Sequence, residues 1–153
     1  MQIALRLVHA FSVCSLLATG FLIADDSISD DGENDVNGGV VITFDDNVIG
    51  NWHSALTKRP KLKATLYIYD TDDITEKQYR LLKELQKDGH EVGFHTKDHP
   101  NLKEYLETDS LSHYMKEQVR RPLKKFRERG FKVKSFAYPY GVGLARADSL
   151  LAD

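Results

Sequence analysis

The tightest constraint on this chain is a repeating one. Short, nearly continuous apolar runs are each stopped by polar or turn residues, with helical-period segments between them. Val40, Val41, Ile42 and Phe44 form the first run and end at Asp45–Asp46. Residues 64–69 (ATLYIY) form the second, 91–94 the third, and 133–138 the fourth, which stops at Pro139. An apolar run with β-branched residues suits a strand buried on both faces, as in a parallel sheet. Between the second and third runs, Leu81, Leu82 and Leu85 recur at helical spacing over 74–87. Thr75–Gln78 or Asp72–Asp73 caps the start of that helix, and Gly89 ends it. A second helix is expected over 110–129, kinked or split at Pro122 and ended by Gly130. Strands alternating with helices specify βα units and an α/β fold. Four parallel strands make about half of an eight-stranded barrel, which needs at least about 200 residues. At 153 residues the chain is too short to close one, so a partial barrel over 40–153, incomplete at the C-terminus, is predicted.

The polar residues gather where these strands end. Asp45 and Asp46 close the first strand, His95 and His99 follow the third, and 138–141 follow the fourth. In α/β barrels this carboxyl edge is where sites are built. His95 and His99 stand four apart, so on a helical turn both imidazoles would face one way. A carboxylate from Asp45–Asp46 would complete a two-histidine, one-carboxylate set with open positions. Side chains alternate along a strand, so one aspartate should ligate while the other sits nearby as a base. Capping is the commoner use of paired aspartates, and Asp72–Asp73 fits it. Asp45–Asp46 differs because it lies directly behind a buried run. Trp52 is expected in the core, although it and Tyr140 also offer faces for a sugar ring. His53, His90 and His113 are read as structural or surface residues.

Taken together, three segments resemble the polysaccharide deacetylases, the NodB-like carbohydrate esterases. Thr43-Phe44-Asp45-Asp46 resembles their T-F-D-D motif. The segment 89–99 (GHEVGFHTKDH) resembles their H-[S/T]-x-x-H motif with its approach strand, and 136–141 (FAYPYG) resembles R-x-P-Y-G. The resemblance implies a NodB-like distorted β/α barrel. It also implies removal of N-acetyl groups from an N-acetylated polysaccharide. Asp45 would be the general base. Asp46, His95 and His99 would hold one divalent metal, zinc first, with Co2+, Ni2+ or Fe2+ as other occupants. The backbone N–H of Tyr140 would help hold the oxyanion.

The sequence departs from that pattern in three places. Ala137 stands where many members carry arginine, and Asn47 stands where glycine follows D-D. The family continues into D-x-x-D-W-like and L-x-H segments, the latter supplying a general-acid histidine. Residues 142–153 contain neither histidine nor tryptophan. Two other readings follow: a carbohydrate-binding module that keeps the metal site but lacks the acid, or a fragment that does not fold alone. In the latter, half a barrel would leave the strand at 133–138 with an open edge.

Ahead of the domain, Arg6 precedes an 18-residue stretch, 7–24, without charge. That order reads as a secretory signal or an uncleaved N-terminal anchor, and so as an exported protein. Residues 25–39 hold six acids and three glycines. Their spacing is wrong for a calcium loop, and they read as a flexible acidic linker. A net charge of −2 gives no reason to expect a nucleic-acid partner. Cys14 is the single cysteine, which excludes an intrachain disulfide. The leader is the one segment suited to a membrane.

Overall fold

The computed structural model describes Arg6–Leu7 and residues 40–152. The remainder of the expected leader and all of the expected linker lie outside the described residues. Five parallel strands form one sheet: β1 (Arg6–Leu7), β2 (Thr43–Asp45), β3 (Thr65–Ile68), β4 (Glu91–Phe94) and β5 (Ser135–Phe136), in the order β1-β5-β4-β3-β2. The connections carry helices α1 (Ile49–Leu56), α2 (Glu76–Lys87), α3 (Leu102–Thr108), α4 (Leu111–Tyr114) and α5 (Arg121–Glu128). Helix α6 (Ala145–Ala152) follows β5. The α/β class, the parallel sheet and the half-barrel extent match the sequence reading.

Register explains which residues face where. Thr43, Thr65 and Glu91 lie side by side, as do Asp45, Tyr67 and Gly93. The alternate positions, Phe44, Leu66, Ile68, Val92 and Phe94, join a core with Ile49, Trp52 and Leu56 of α1 and Tyr79, Leu82 and Leu85 of α2. Trp52 is buried and packs on Phe44 at 6.0 Å between ring centroids, so it is a core residue. Farther from the site, Phe126 stacks on Phe131 at 4.3 Å.

Helix α2 begins as its sequence specifies. The Thr75 hydroxyl accepts from the Gln78 N–H, and the Gln78 side chain accepts from the Thr75 N–H, a complete capping box. Gly89 and Gly130 take φ of +91° and +81° just beyond α2 and α5, the left-handed stop that favours glycine.

Three expectations are corrected. Val40 and Val41 are 89% and 77% exposed. β2 begins only at Thr43, because that is where β3 offers a partner. The helix expected over 110–129 is interrupted not at Pro122 but before it, by a π-helical segment, Met115–Arg120. There the Arg121 N–H reaches the Lys116 carbonyl, five residues back. The wider turn takes up the ladder disruption that proline causes, and Pro122 sits in the first turn of α5. The outer edge of the fourth predicted strand is not open, because Arg6–Leu7 pairs with Ser135–Phe136. No helix among the described residues is long and apolar enough to cross a membrane.

Candidate metal centre

Three strand ends and two loops build the site. β2 delivers Asp45 as its last residue, and the chain turns immediately, with Asp46 at φ +81°. β4 delivers His95, whose N–H donates to the Ile68 carbonyl (2.8 Å) at the end of β3. The chain then runs through a loop, not the helical turn expected from the spacing. Thr96 and His99 take φ of +73° and +54°, and the His99 N–H donates to the Thr96 hydroxyl (3.2 Å). That tight loop folds His99 back over His95, so their Nε2 atoms lie 3.1 Å apart.

Asp46, His95 and His99 each offer one ligand atom, all within 4.8 Å of one another. Asp46 Oδ1 is 3.7 Å from His99 Nε2. Zinc–ligand bonds of about 2.0–2.1 Å at tetrahedral angles put neighbouring ligand atoms about 3.3–3.4 Å apart. The donor set therefore fits a divalent ion in chemistry, and the 3.1 and 3.7 Å pairs are near that spacing, while the group as a whole, at up to 4.8 Å, would have to draw in around an ion. Asp45 does not belong to this group of three; its exposed carboxylate lies close enough to act on the His95 charge.

The two imidazoles are held differently. His95 is buried, and its Nδ1 donates to the Ala137 carbonyl (2.8 Å). That bond places the proton on Nδ1 and leaves the Nε2 lone pair facing the site, the usual arrangement behind a ligating histidine. Burial holds the His95 imidazole below its ordinary value, with the Ala137 carbonyl and Asp45 opposing the shift. The neutral ring is the form that binds a metal. His99 instead lies between two aromatic rings, Tyr69 at 5.2 Å and Tyr140 at 4.9 Å between centroids. Tyr140 is 69% exposed and sits at φ +59° in the 3-10 turn Pro139–Gly141.

Two contributors were missed in the sequence. Tyr69 closes the second predicted strand, and its place at the carboxyl edge is its one signal in the sequence. The Ala137 carbonyl has no side-chain signature. Asn47, at the family's usual glycine, donates Nδ2 to the Tyr69 carbonyl (2.8 Å) and ties the ends of β2 and β3 together. The other histidines among the described residues are structural: His53 pairs with Glu84 (2.8 Å), His90 Nδ1 accepts from the Ala64 N–H (3.2 Å), and His113 meets Asp109 and Tyr105.

A parallel sheet that gathers two imidazoles and a carboxylate at its carboxyl edge defines an α/β protein with a candidate metal centre. The chain belongs to the polysaccharide deacetylase family, whose model matches residues 32–153. Similar solved structures include the peptidoglycan deacetylase PdaC from Bacillus subtilis, at 23% identity and TM-score 0.55, over 73% of this chain and 54% of that one. Another is a family 4 carbohydrate esterase from Streptomyces lividans in complex with acetate, at 22% identity and TM-score 0.58, over 74% and 57%. A third is a family 4 pseudoenzyme from Bacillus anthracis, at 21% identity and TM-score 0.56, over 72% and 38%. These likenesses show the fold, and the chain spans about half the length of the first two. No curated protein matches it.

Proposed function

We propose that this chain carries the metal-binding and base half of a polysaccharide deacetylase centre. The reaction is hydrolysis of an N-acetyl group on an N-acetylated glycan of the cell envelope or a biofilm, releasing acetate and leaving an amine. The observation that carries the reading is the convergence of Asp46, His95 and His99 within 4.8 Å. Family membership supports the substrate class.

Asp46, His95 and His99 would hold the cation, with zinc favoured by two imidazole nitrogens and one carboxylate oxygen. When bound, the ion supplies Lewis-acid polarisation of the acetyl carbonyl and acidifies water. Asp45, outside the ligand group, accepts a proton from the attacking water. The Tyr140 N–H donates to the oxygen that gains charge. The Ala137 carbonyl keeps the His95 proton on Nδ1 throughout, so His95 stays a lone-pair donor at Nε2. Export remains part of the proposal and rests on the leader pattern of residues 1–24; because Arg6–Leu7 of that leader forms β1, cleavage of the leader would expose the outer edge of β5.

The test is metal content by elemental analysis after dialysis, with turnover of acetylated chito-oligomers measured in parallel. His95→Ala and His99→Ala should bring zinc stoichiometry toward zero, and Asp46→Asn should lower it. Asp45→Asn should keep the metal and abolish deacetylation. Unchanged metal in both histidine variants refutes the site. Equal metal loss in Asp45→Asn and Asp46→Asn reverses the roles of the two aspartates. Zinc bound by the parent chain without turnover makes it a binding module.

A further inference from the structure

We infer that Gln118, on the π-helical turn, is a positioning residue for the metal loop, acting on His99 through Asp98. The inference rests on the metal reading above and extends it to a residue in a different element.

The loop from His95 to His99 holds two non-glycine residues at positive φ, Thr96 and His99. Such conformations persist only where the surroundings hold them. Most of the restraints on the loop come from the sheet edge or from the loop itself. They are the Ile68 carbonyl on the His95 N–H, the Asp70 N–H on the Lys97 carbonyl (2.8 Å), and the Thr96 hydroxyl on the His99 N–H. The restraint on Asp98, the residue before His99, comes from outside. Gln118 Oε1 accepts from the Asp98 N–H (2.9 Å), and Gln118 Nε2 donates to Asp98 Oδ2 (2.8 Å). One amide therefore fixes both the backbone and the side chain of the residue next to a ligand.

Gln118 is suited to this. It is 5% exposed, so the Gln118 side of the pair is sheltered from water, although the Asp98 carboxylate itself is exposed. It lies in the middle of Met115–Arg120, flanked by buried Met115 and Val119. π-Turns of this kind are frequent at functional sites. His99 needs such support more than His95 does. The His95 ring is pinned by a hydrogen bond at Nδ1, whereas the only ring hydrogen bond of His99 among the described residues is at Nε2, to His95. Its pose is set by its backbone and by Tyr69 and Tyr140.

The test uses the full chain and two variants. Gln118→Met keeps an unbranched side chain of similar size but removes both hydrogen bonds. Asp98→Asn combined with Gln118→Glu exchanges donor and acceptor: the asparagine amide donates to the glutamate, and the residue-98 N–H still has its acceptor. The readouts are zinc affinity by competition with a chromophoric chelator, the visible spectrum of the Co2+ form, and melting temperature without metal. Gln118→Met should weaken zinc about tenfold, the low end for residues supporting a ligand, and alter the cobalt bands. The exchanged pair should return both toward the parent. Unchanged zinc affinity in Gln118→Met, whether or not its melting temperature falls, overturns the inference. So does an exchanged pair as weak in zinc as Gln118→Met. A parent chain that takes up no zinc overturns the metal reading and this inference with it, and is distinguishable because the variants are then never the cause.

Discussion

Gly93 has no room for a side chain, and the cost of adding one can be worked from its neighbours. A Cβ built there would lie 2.6 Å from both Cδ1 and Cε1 of Tyr67 and 2.8 Å from Ser135 Oγ. Ordinary van der Waals contact begins at about 3.4 Å, so the Tyr67 ring must move by nearly 1 Å. It has little freedom to do so, because Tyr67 is fully buried and Ser135 blocks the far side of Gly93. Overpacking a filled interior costs about 1–3 kcal/mol, and this tight contact belongs in the upper half of that range. For a domain of this size that is a drop in melting temperature of roughly 8–20 °C. The displaced ring also faces His95, 6.4 Å away between centroids, so zinc affinity should fall with stability. The assay is urea unfolding of Gly93→Ala, of Tyr67→Leu and of the double variant. The clash is relieved once the ring is gone, so the double variant should be at least about 1 kcal/mol more stable than the sum of the singles implies. Gly93→Ala within about 0.5 kcal/mol of the parent, or strict additivity, refutes the argument.

Two further outcomes follow from local structure. Thr75→Ala removes the hydroxyl that caps α2 and should cost about 1 kcal/mol in urea unfolding, while Thr75→Ser should cost little. Burial holds the His90 imidazole below its ordinary value, with Lys63 adding to the shift and Asp88 opposing it. The native state therefore resists protonation while the unfolded chain accepts it, so unfolding binds protons below about pH 6.5. His90 should then make stability fall as pH drops through that value and level off below the depressed native pKa. The fall should flatten in His90→Gln, measured by melting temperature against pH.

The sequence was legible where local and tertiary preferences agreed. β4 forms over 91–94 as read, β3 lies within 64–69, and α2 starts at its capping pair. It misled where partners decide. Val40 and Val41 have strand-forming side chains but no strand opposite them, so they stay in solvent. The spacing of His95 and His99 did identify the pair that meets, but for the wrong reason. A four-residue separation also suits a tight loop with left-handed residues, and side-chain periodicity carries no sign of φ at Thr96. Helices α1, α3 and α6 carry no periodic signal, each shorter than the span over which helical periodicity becomes clear. The Gln118–Asp98 pair is separated by 20 residues and depends on a π-turn, for which the sequence carries no pattern.

The left-handed residues at the sheet edge carry a cost for the whole domain. Asp46, Asp70, Thr96, His99 and Tyr140 all have positive φ, and each such non-glycine conformation is disfavoured by about 1–2 kcal/mol. Together they withhold on the order of 5 kcal/mol or more, comparable with the entire net stability of a typical domain. Fold and site are therefore in competition. Glycine at Asp46 would relieve the backbone while removing a proposed ligand. At Thr96 it would relieve the backbone while removing the hydroxyl that holds the His99 N–H. A search for stabilised variants of this chain would drift toward such replacements and yield more robust domains with emptier metal sites.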